Sequence, residues 1–355
     1  MRFVDFEGLW KMAIDTPYSL LVSSGSSAWT CGQLAMDENA EVVAPGDLDR
    51  QAEIVADYIA EILRRADLTI EKARRLVLYY VGTEQAGASM RSVLKARFGD
   101  TVLFDPVPVP SFYYEGVMLE IDVFCGGAAP RLERVETPAG EIQILTGDED
   151  IWVSLETAAD ATMDTIAALR ELLAARGLSE RNILTEHWVA PTLALEAASR
   201  VVTGVDASFD RGAILDAGAN EGPLRARFRL SASEVFSSTV QNIEGARIVT
   251  RTGERNAWVQ ARALDPSLDL VAQTRLEMRA IAIELDRLGL SFADVVKQTS
   301  HYVGGTADEL HDNMSIRNGY YKKPGPASTG IPVYGIAAPG IRNVIDLTIR
   351  RGWRG

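Results

Sequence analysis

QAEIVADYIAEILRRADLTIEKARRLVLYYVGT, residues 51–83, and QTRLEMRAIAIELDRLGLSFADVVKQTSHYVGG, residues 273–305, are one segment written twice. A constant offset of 222 matches Gln51 with Gln273, Leu68 with Leu290, and Tyr80-Val81-Gly82 with Tyr302-Val303-Gly304. Between them, DATMDTIAALRELLAARGLSERNILTEHWVAP at 160–191 reads as a trimmed third copy. Working outward, a strand with a central tryptophan precedes each copy (Trp29, Trp152, Trp258), and another strand closes each: EGVMLEIDVF, EGPLRARFRL, PGIRNVIDLT. A repeat of roughly 110 residues is the size of a domain and too long for a solenoid unit. Three homologous domains are therefore expected, over 1–126, 127–232 and 233–355, with boundaries at the GGAAP stretch (126–130) and at Ser231-Ala232-Ser233.

Within a copy the order reads strand, strand, helix, strand, second helical stretch, closing strand. The first helix carries Ile54, Val55, Tyr58, Ile59, Ile62 and Leu63, spaced to bury one face. Met163, Ile166, Leu169 and Leu172 are its counterparts in copy two, and Met278, Ile281, Leu285 and Leu288 in copy three. The next strand, RLVLYYV, ILTEHWV or VKQTSHYV, is rich in β-branched and aromatic residues. A helix packed on one face of a mixed sheet buries both elements, so the fold class is α+β.

Hydrophobic residues are 47% and charged ones 24%, ordinary for a globular protein, and no apolar run approaches the ~20 residues that span a bilayer. The N-terminal stretch has acidic residues and no signal-peptide pattern, and two cysteines are too few for a disulfide framework; a cytoplasmic protein without membrane contact is expected. A formal net charge of −13 argues against nucleic acid as a partner. Three histidines without paired metal spacing, and no Gly-rich phosphate loop, leave a cofactor-free, metal-free site as the expectation.

Pro17-Tyr18 before the opening strand, Thr30-Cys31-Gly32-Gln33 followed by Asp37, the Gln51 helix and LEID at 119–122 together resemble the RidA (YjgF) family. The resemblance is strongest in copy one, good in copy three and weak in copy two. It implies chorismate-mutase-like domains that meet as trimers, with ligand sites in the clefts between subunits. Three such domains in one chain imply an intramolecular pseudo-trimer, sheets inside and helices outside, as a monomer or a homodimer. Fusion lets each cleft diverge, which identical subunits do not permit.

The same resemblance implies imine or enamine hydrolysis by an arginine that grips a carboxylate, fifteen residues before a closing-strand glutamate. Copy one has Glu120, but Asp105 at the arginine position; copy three has Val344, with Ser328 or Thr329 near the arginine position. In copy two Ala226 stands for the glutamate while Arg211 is retained. The sharpest expectation is a composite cleft in which Arg211 holds the carboxylate, Glu120 handles the proton or water, and Tyr18 shapes the wall. Cys31, with Ser154 and Gln260 as counterparts, is a nucleophile if its pKa is lowered and a small buried hydrophobe otherwise.

A second constellation lies in copy three: His301, Tyr302, Arg317, Tyr320 and Tyr321 near Ser328 and Thr329 of PASTGI. This stretch is similar to the C-terminal half of chorismatases, which share an arginine on the second helix and a P-A-x-x-G-I strand. The departure is Val344 at the acid position, with Asp346 two residues on as the substitute. Cyanuric acid hydrolase and barbiturase also resemble it in having three units, but their Ser-Lys pair finds no lysine in the corresponding strands of copies one and two. The expected function is cofactor-independent hydrolysis of a small carboxylate, foremost imine or enamine deamination. The alternatives are action on chorismate or a related carboxylated ring, and non-catalytic metabolite binding or scaffolding.

Overall fold

The computed structural model describes residues 1–127, 130–138, 140–196, 198, 213–304 and 306–352. The chain builds three mixed β-sheets, with five α-helices among the described residues. The first sheet joins β1 (Arg2–Val4), β2 (Leu21–Ser24), β3 (Ser27–Thr30), β4 (Gln33–Leu34), β5 (Ala73–Tyr80), β6 (Leu103–Pro108) and β7 (Leu119–Cys125). The second joins β8 (Arg131–Thr137), β9 (Gly140–Thr146), β10 (Asp150–Thr157), β11 (Ile183–Ala190), β12 (Ile214–Asp216) and β13 (Leu224–Ser231). The third joins β14 (Ser237–Ile243), β15 (Ala246–Thr252), β16 (Asn256–Ala263), β17 (Val295–Val303), β18 (Ala327–Val333) and β20 (Asn343–Arg350). A short strand, β19 (Gly335–Ile336), leaves the third unit to pair with β12 of the second sheet.

Helices α1 (Leu48–Arg65) and α4 (Leu270–Arg287) open on the aspartates Asp47 and Asp269, whose carboxylates accept backbone N–H bonds from Arg50 (3.0 Å) and Ala272 (2.7 Å). The repeated glutamines then do one job twice. Gln51 donates to the carbonyls of Ala44 and Gly116 and accepts from the Met118 N–H; Gln273 donates to Leu268 and Gly340 and accepts from the Arg342 N–H. A buried amide needs such partners, and these tie each helix to the turn that feeds the closing strand. On the apolar face of α1, Val55, Ile59, Ile62 and Leu63 are fully buried, each contributing about 1.5–3 kcal/mol. Helix α2 (Glu84–Phe98), capped by the Thr83 hydroxyl, leads from β5 to β6. In α3 (Thr162–Ala174) the buried face is Thr162, Thr165, Ile166, Leu169 and Leu173, and the expected Met163 is 46% exposed. Two threonines, one bonded to Thr157 and one to the carbonyl of Ala159, take the place of the apolar residue there.

The inner faces of the sheets share an apolar cluster that contains Val77, Val107, Val189, Leu215, Val333 and Val344. Two landmarks align the copies. Trp29, Trp152 and Trp258 stand opposite Phe124, Arg229 and Thr348, and each post-helix strand has an irregularity at Ala73/Arg75, Ile183/Thr185 or Val295/Lys297. By this register Glu120 corresponds to Val344, as expected from the sequence, but to Arg225 in copy two rather than Ala226. Asp122, Arg227 and Asp346 correspond likewise. No described helix is long and apolar enough to cross a membrane.

Candidate functional site

Between the first and third sheets lies a cavity of about 100 Å³. Its first wall comes from the break between β3 and β4, where Cys31 and Gly32 interrupt the strand, and from Glu120 on β7. A Cβ at Gly32 would lie 1.6 Å from Glu120 Oε1, so the absent side chain is what lets the carboxyl group lie there. The facing wall comes from β17, β18 and α5 (Ala307–Asn318) through Tyr302, Ser328, Gly330 and Arg317. Thr306 caps α5 at its start, and Arg317 sits in its last turn, where the helix dipole favours a cation. Asn313, one turn earlier, accepts from Arg317 Nε at 2.9 Å and so orients the guanidinium. Its Nη2 would lie 3.2 Å from a Cβ at Gly330, a second close approach that only glycine permits without displacement. The rest of the lining is mostly apolar and aromatic, from Trp10, Met12, Phe112, Leu310 and Met314, with His311 hydrogen-bonded to the Tyr113 hydroxyl beside them.

The electrostatics of this cavity are unbalanced. Glu120 is 8% exposed and, among the described residues, has no hydrogen-bond or ion-pair partner. Burial pushes its pKa up to about 8; Asp122, two residues along the strand, pushes it further, while Lys297 opposes. Asp122 itself is satisfied: Lys297 Nζ lies 2.7 Å from it, and the Thr329 hydroxyl donates to it at 2.6 Å. One buried ammonium thus faces two carboxyl groups, and the one outside the pair keeps its proton. Arg317, 4% exposed, forms no ion pair among the described residues, which leaves its outer fork free for a carboxylate. Tyr302 feels both groups. Burial raises its pKa, Glu120 adds to the rise and Arg317 counters it.

The residues singled out by sequence divide as follows. Glu120, Tyr18, Cys31, Tyr302, Arg317 and Ser328 line this one cavity. Tyr18 accepts from Gln298 Nε2 at 3.3 Å, and the same nitrogen donates to Ser328 at 3.1 Å, so both hydroxyls hang from one amide. Cys31 Sγ accepts from Gln33 Nε2 at 3.1 Å, and burial pushes its thiol far above the ordinary range. A protonated thiol without an adjacent base is a poor nucleophile. Thr329 lies behind the wall on Lys297 and Asp122, and Tyr320 packs on Phe292 with ring centroids 4.9 Å apart. Arg211 lies outside the described residues.

His301 and Asp346 do not join Arg317. His301 is buried against Tyr79, whose hydroxyl lies 3.4 Å from Nε2; burial holds its pKa down to about 3, with Asp346 opposing. Burial would raise Asp346, but His187 Nε2, 3.3 Å away, and Trp258 Nε1, 3.4 Å away, hold it low. The copy-three constellation therefore splits, and its arginine lines the same cavity as the copy-one Glu120. Sequence reasoning missed the aromatic wall and the two wall glycines. The signal for Gly32 was present in T-C-G-Q; the meeting of Arg317 and Glu120 on one cavity had none, because their elements lie far apart in the chain.

No protein-family profile matches the chain, and no curated protein sequence does. Among solved structures, a chorismatase crystal structure superposes with a TM-score of 0.52 at 12% identity, covering 79% of this chain and 93% of its own. RidA from the Antarctic bacterium Psychrobacter (20% identity, TM-score 0.31) covers 36% of this chain and 99% of its own. The E. coli YjgF gene product (20%, TM-score 0.31) covers 36% and 98%. Over most of its length, then, this chain is similar in fold to a chorismatase.

Proposed function

We propose that the chain is a cofactor-independent hydrolase of small carboxylates bearing an imine or enamine, working in the cleft between its first and third units. One observation carries this reading: a buried Glu120 without a partner and an Arg317 fork without an ion pair, among the described residues, line the same largely apolar cavity. Arg317 holds the substrate carboxylate. For an enamine, the Glu120 proton goes to the terminal carbon as the C=C electrons move to it, leaving an iminium. Water adds to the iminium carbon and gives a proton to the amine nitrogen; the C–N bond then breaks as ammonia leaves, and the hydroxyl proton released as the ketone forms returns to Glu120. At pH 7 a group titrating near 8 is protonated in roughly ten molecules for each ionised one, as a general acid requires.

The architecture that supports this reading is an intramolecular pseudo-trimer of 1–126, 127–232 and 233–355. Lys297 of the third unit donates to the Thr30 carbonyl of the first at 2.9 Å, and Arg75 of the first donates to the Val153 carbonyl of the second at 2.6 Å. Lys297 and Arg75 are register equivalents, as are Thr30 and Val153, so one contact is repeated around the assembly.

The aromatic wall favours a second substrate class, a carboxylated ring carrying an enolpyruvyl ether. The steps are the same, with an oxocarbenium in place of the iminium and an alcohol leaving in place of ammonia. Ammonia release from freshly generated 2-aminoacrylate and from branched imino acids, with pyruvate release from chorismate run beside it, tests both. Turnover lost on Glu120→Gln and on Arg317→Gln supports the site and names the class. Absence of turnover on every substrate refutes the hydrolase reading and leaves ligand binding.

A further inference from the structure

A second cavity, of about 140 Å³, lies between the first and second sheets, lined among others by Asp105, Ser154, His187, Arg225 and Arg227. By register it is the counterpart of the first, with Ser154 at the place of Cys31, Arg225 at that of Glu120 and Arg227 at that of Asp122. At these two positions carboxyl groups have become guanidiniums, while Asp105, Glu141 and Glu156 line the same cavity. Three of the nearby arginines are neutralised. Arg75 pairs with Asp105 at 2.6 Å, Arg229 with Asp150 at 2.9 Å, and Arg225 with both Glu84 and Glu156 at 2.9 Å. Arg227, only 6% exposed, has no ion pair or hydrogen bond among the described residues, and none of its guanidinium nitrogens is sealed from the cavity. A buried cation without a counter-ion is unfavourable unless something anionic completes it.

We propose that this cleft is a second ligand site, where Arg227 binds a small oxyanion that is held without turnover because no acid stands at the Glu120 position. Planar carboxylates and tetrahedral phosphates share the chemistry a guanidinium recognises, so both are probed. The site is independent of the hydrolase reading, because it uses none of the residues of the first cleft.

The test is calorimetric titration of the full chain carrying Arg317→Gln, with pyruvate in one arm and inorganic phosphate in the other. One equivalent of either anion is expected to bind, weakened at least ~10-fold by adding Arg227→Gln and less by Arg227→Lys. The arm that saturates identifies the anion class. Binding of neither anion, or binding that survives Arg227→Gln, overturns the proposal. If Arg227→Gln does not fold, arginine side-chain NMR decides. The Arg227 signal, assigned by its absence from Arg227→Lys, must move during the titration, and a stationary signal overturns the proposal.

Discussion

Glu120→Gln replaces the buried acid with a neutral isostere, and its effect on stability should depend on pH in a way that follows from the cavity. Burial and Asp122 raise the folded-state pKa from 4.5 to about 8. The folded protein therefore keeps the proton that the unfolded chain releases. The stabilisation is complete below about pH 4.5 and is lost as pH rises through 8. A tenfold difference in proton affinity between the folded and unfolded chain is worth about 1.4 kcal/mol. Wild type therefore loses roughly 3–4 kcal/mol from this group between pH 5 and pH 8, and Glu120→Gln loses none of it. Urea unfolding of both proteins at pH 5, 6, 7, 8 and 9 measures this. The variant is expected to match wild type at pH 5, to gain roughly 1 kcal/mol for each pH step up to pH 8, and to level off above it. Wild-type kcat/KM is expected to fall as the acid ionises above pH 8, and the variant to lie about 10²–10⁴-fold below wild type up to that pH, with the gap narrowing above it. A stability difference that is flat with pH would refute the argument that this carboxyl is desolvated and uncompensated.

Three further outcomes follow from the same geometry. Arg317→Gln is expected to lower kcat/KM by ~10²-fold or more through lost carboxylate binding, with partial rescue in Arg317→Lys, measured by steady-state kinetics. Gly32→Ala puts a methyl where Glu120 Oε1 lies and must displace the carboxyl group, so turnover should collapse while circular dichroism stays native. Lys297→Met leaves Asp122 buried without its cation and should cost about 3–5 kcal/mol in urea unfolding, against near-neutrality for a Lys297→Met/Asp122→Leu double variant.

How much of this was legible beforehand depended on whether a feature was local. The two glutamines were readable as a repeat because each must satisfy a buried amide through neighbours within its own unit. The tryptophans were readable as strand centres, but not as partners of arginines in another unit. The Arg75 guanidinium lies 5.3 Å from the Trp152 ring, and that of Arg229 lies 5.6 Å from the ring of Trp29. Copy two was misaligned by one residue on its closing strand because matching Glu115-Gly116 with Glu221-Gly222 sets Glu120 against Ala226, whereas the pairing of Trp29 with Phe124 and of Trp152 with Arg229 sets it against Arg225. Arg317 was named from the right helix but grouped with His301 and Asp346, since sequence proximity suggested a site within one unit. The structure instead builds the cavity lining from both, with Glu120 of the first copy beside Arg317 of the third, while Val344 stands opposite His301.

The three equivalent closing-strand positions carry an acid, a base and an apolar side chain: Glu120, Arg225 and Val344. No identical-subunit trimer can hold that combination, since one codon would set all three clefts alike. The differences are matched by their surroundings. Glu120 is accommodated by Gly32, while Arg225 is held by Glu84 and Glu156. Val344 sits in the shared apolar cluster, and Gln260, at the register position of Cys31, accepts the Ala213 N–H at 2.9 Å. Each substitution is therefore compensated locally, by a partner that would be wrong in either of the other two clefts. Arg227 is the exception, a buried cation for which the described residues provide no partner. If the pattern of local compensation holds, its partner comes from outside the chain, and the second cleft is where the binding experiment has most to reveal.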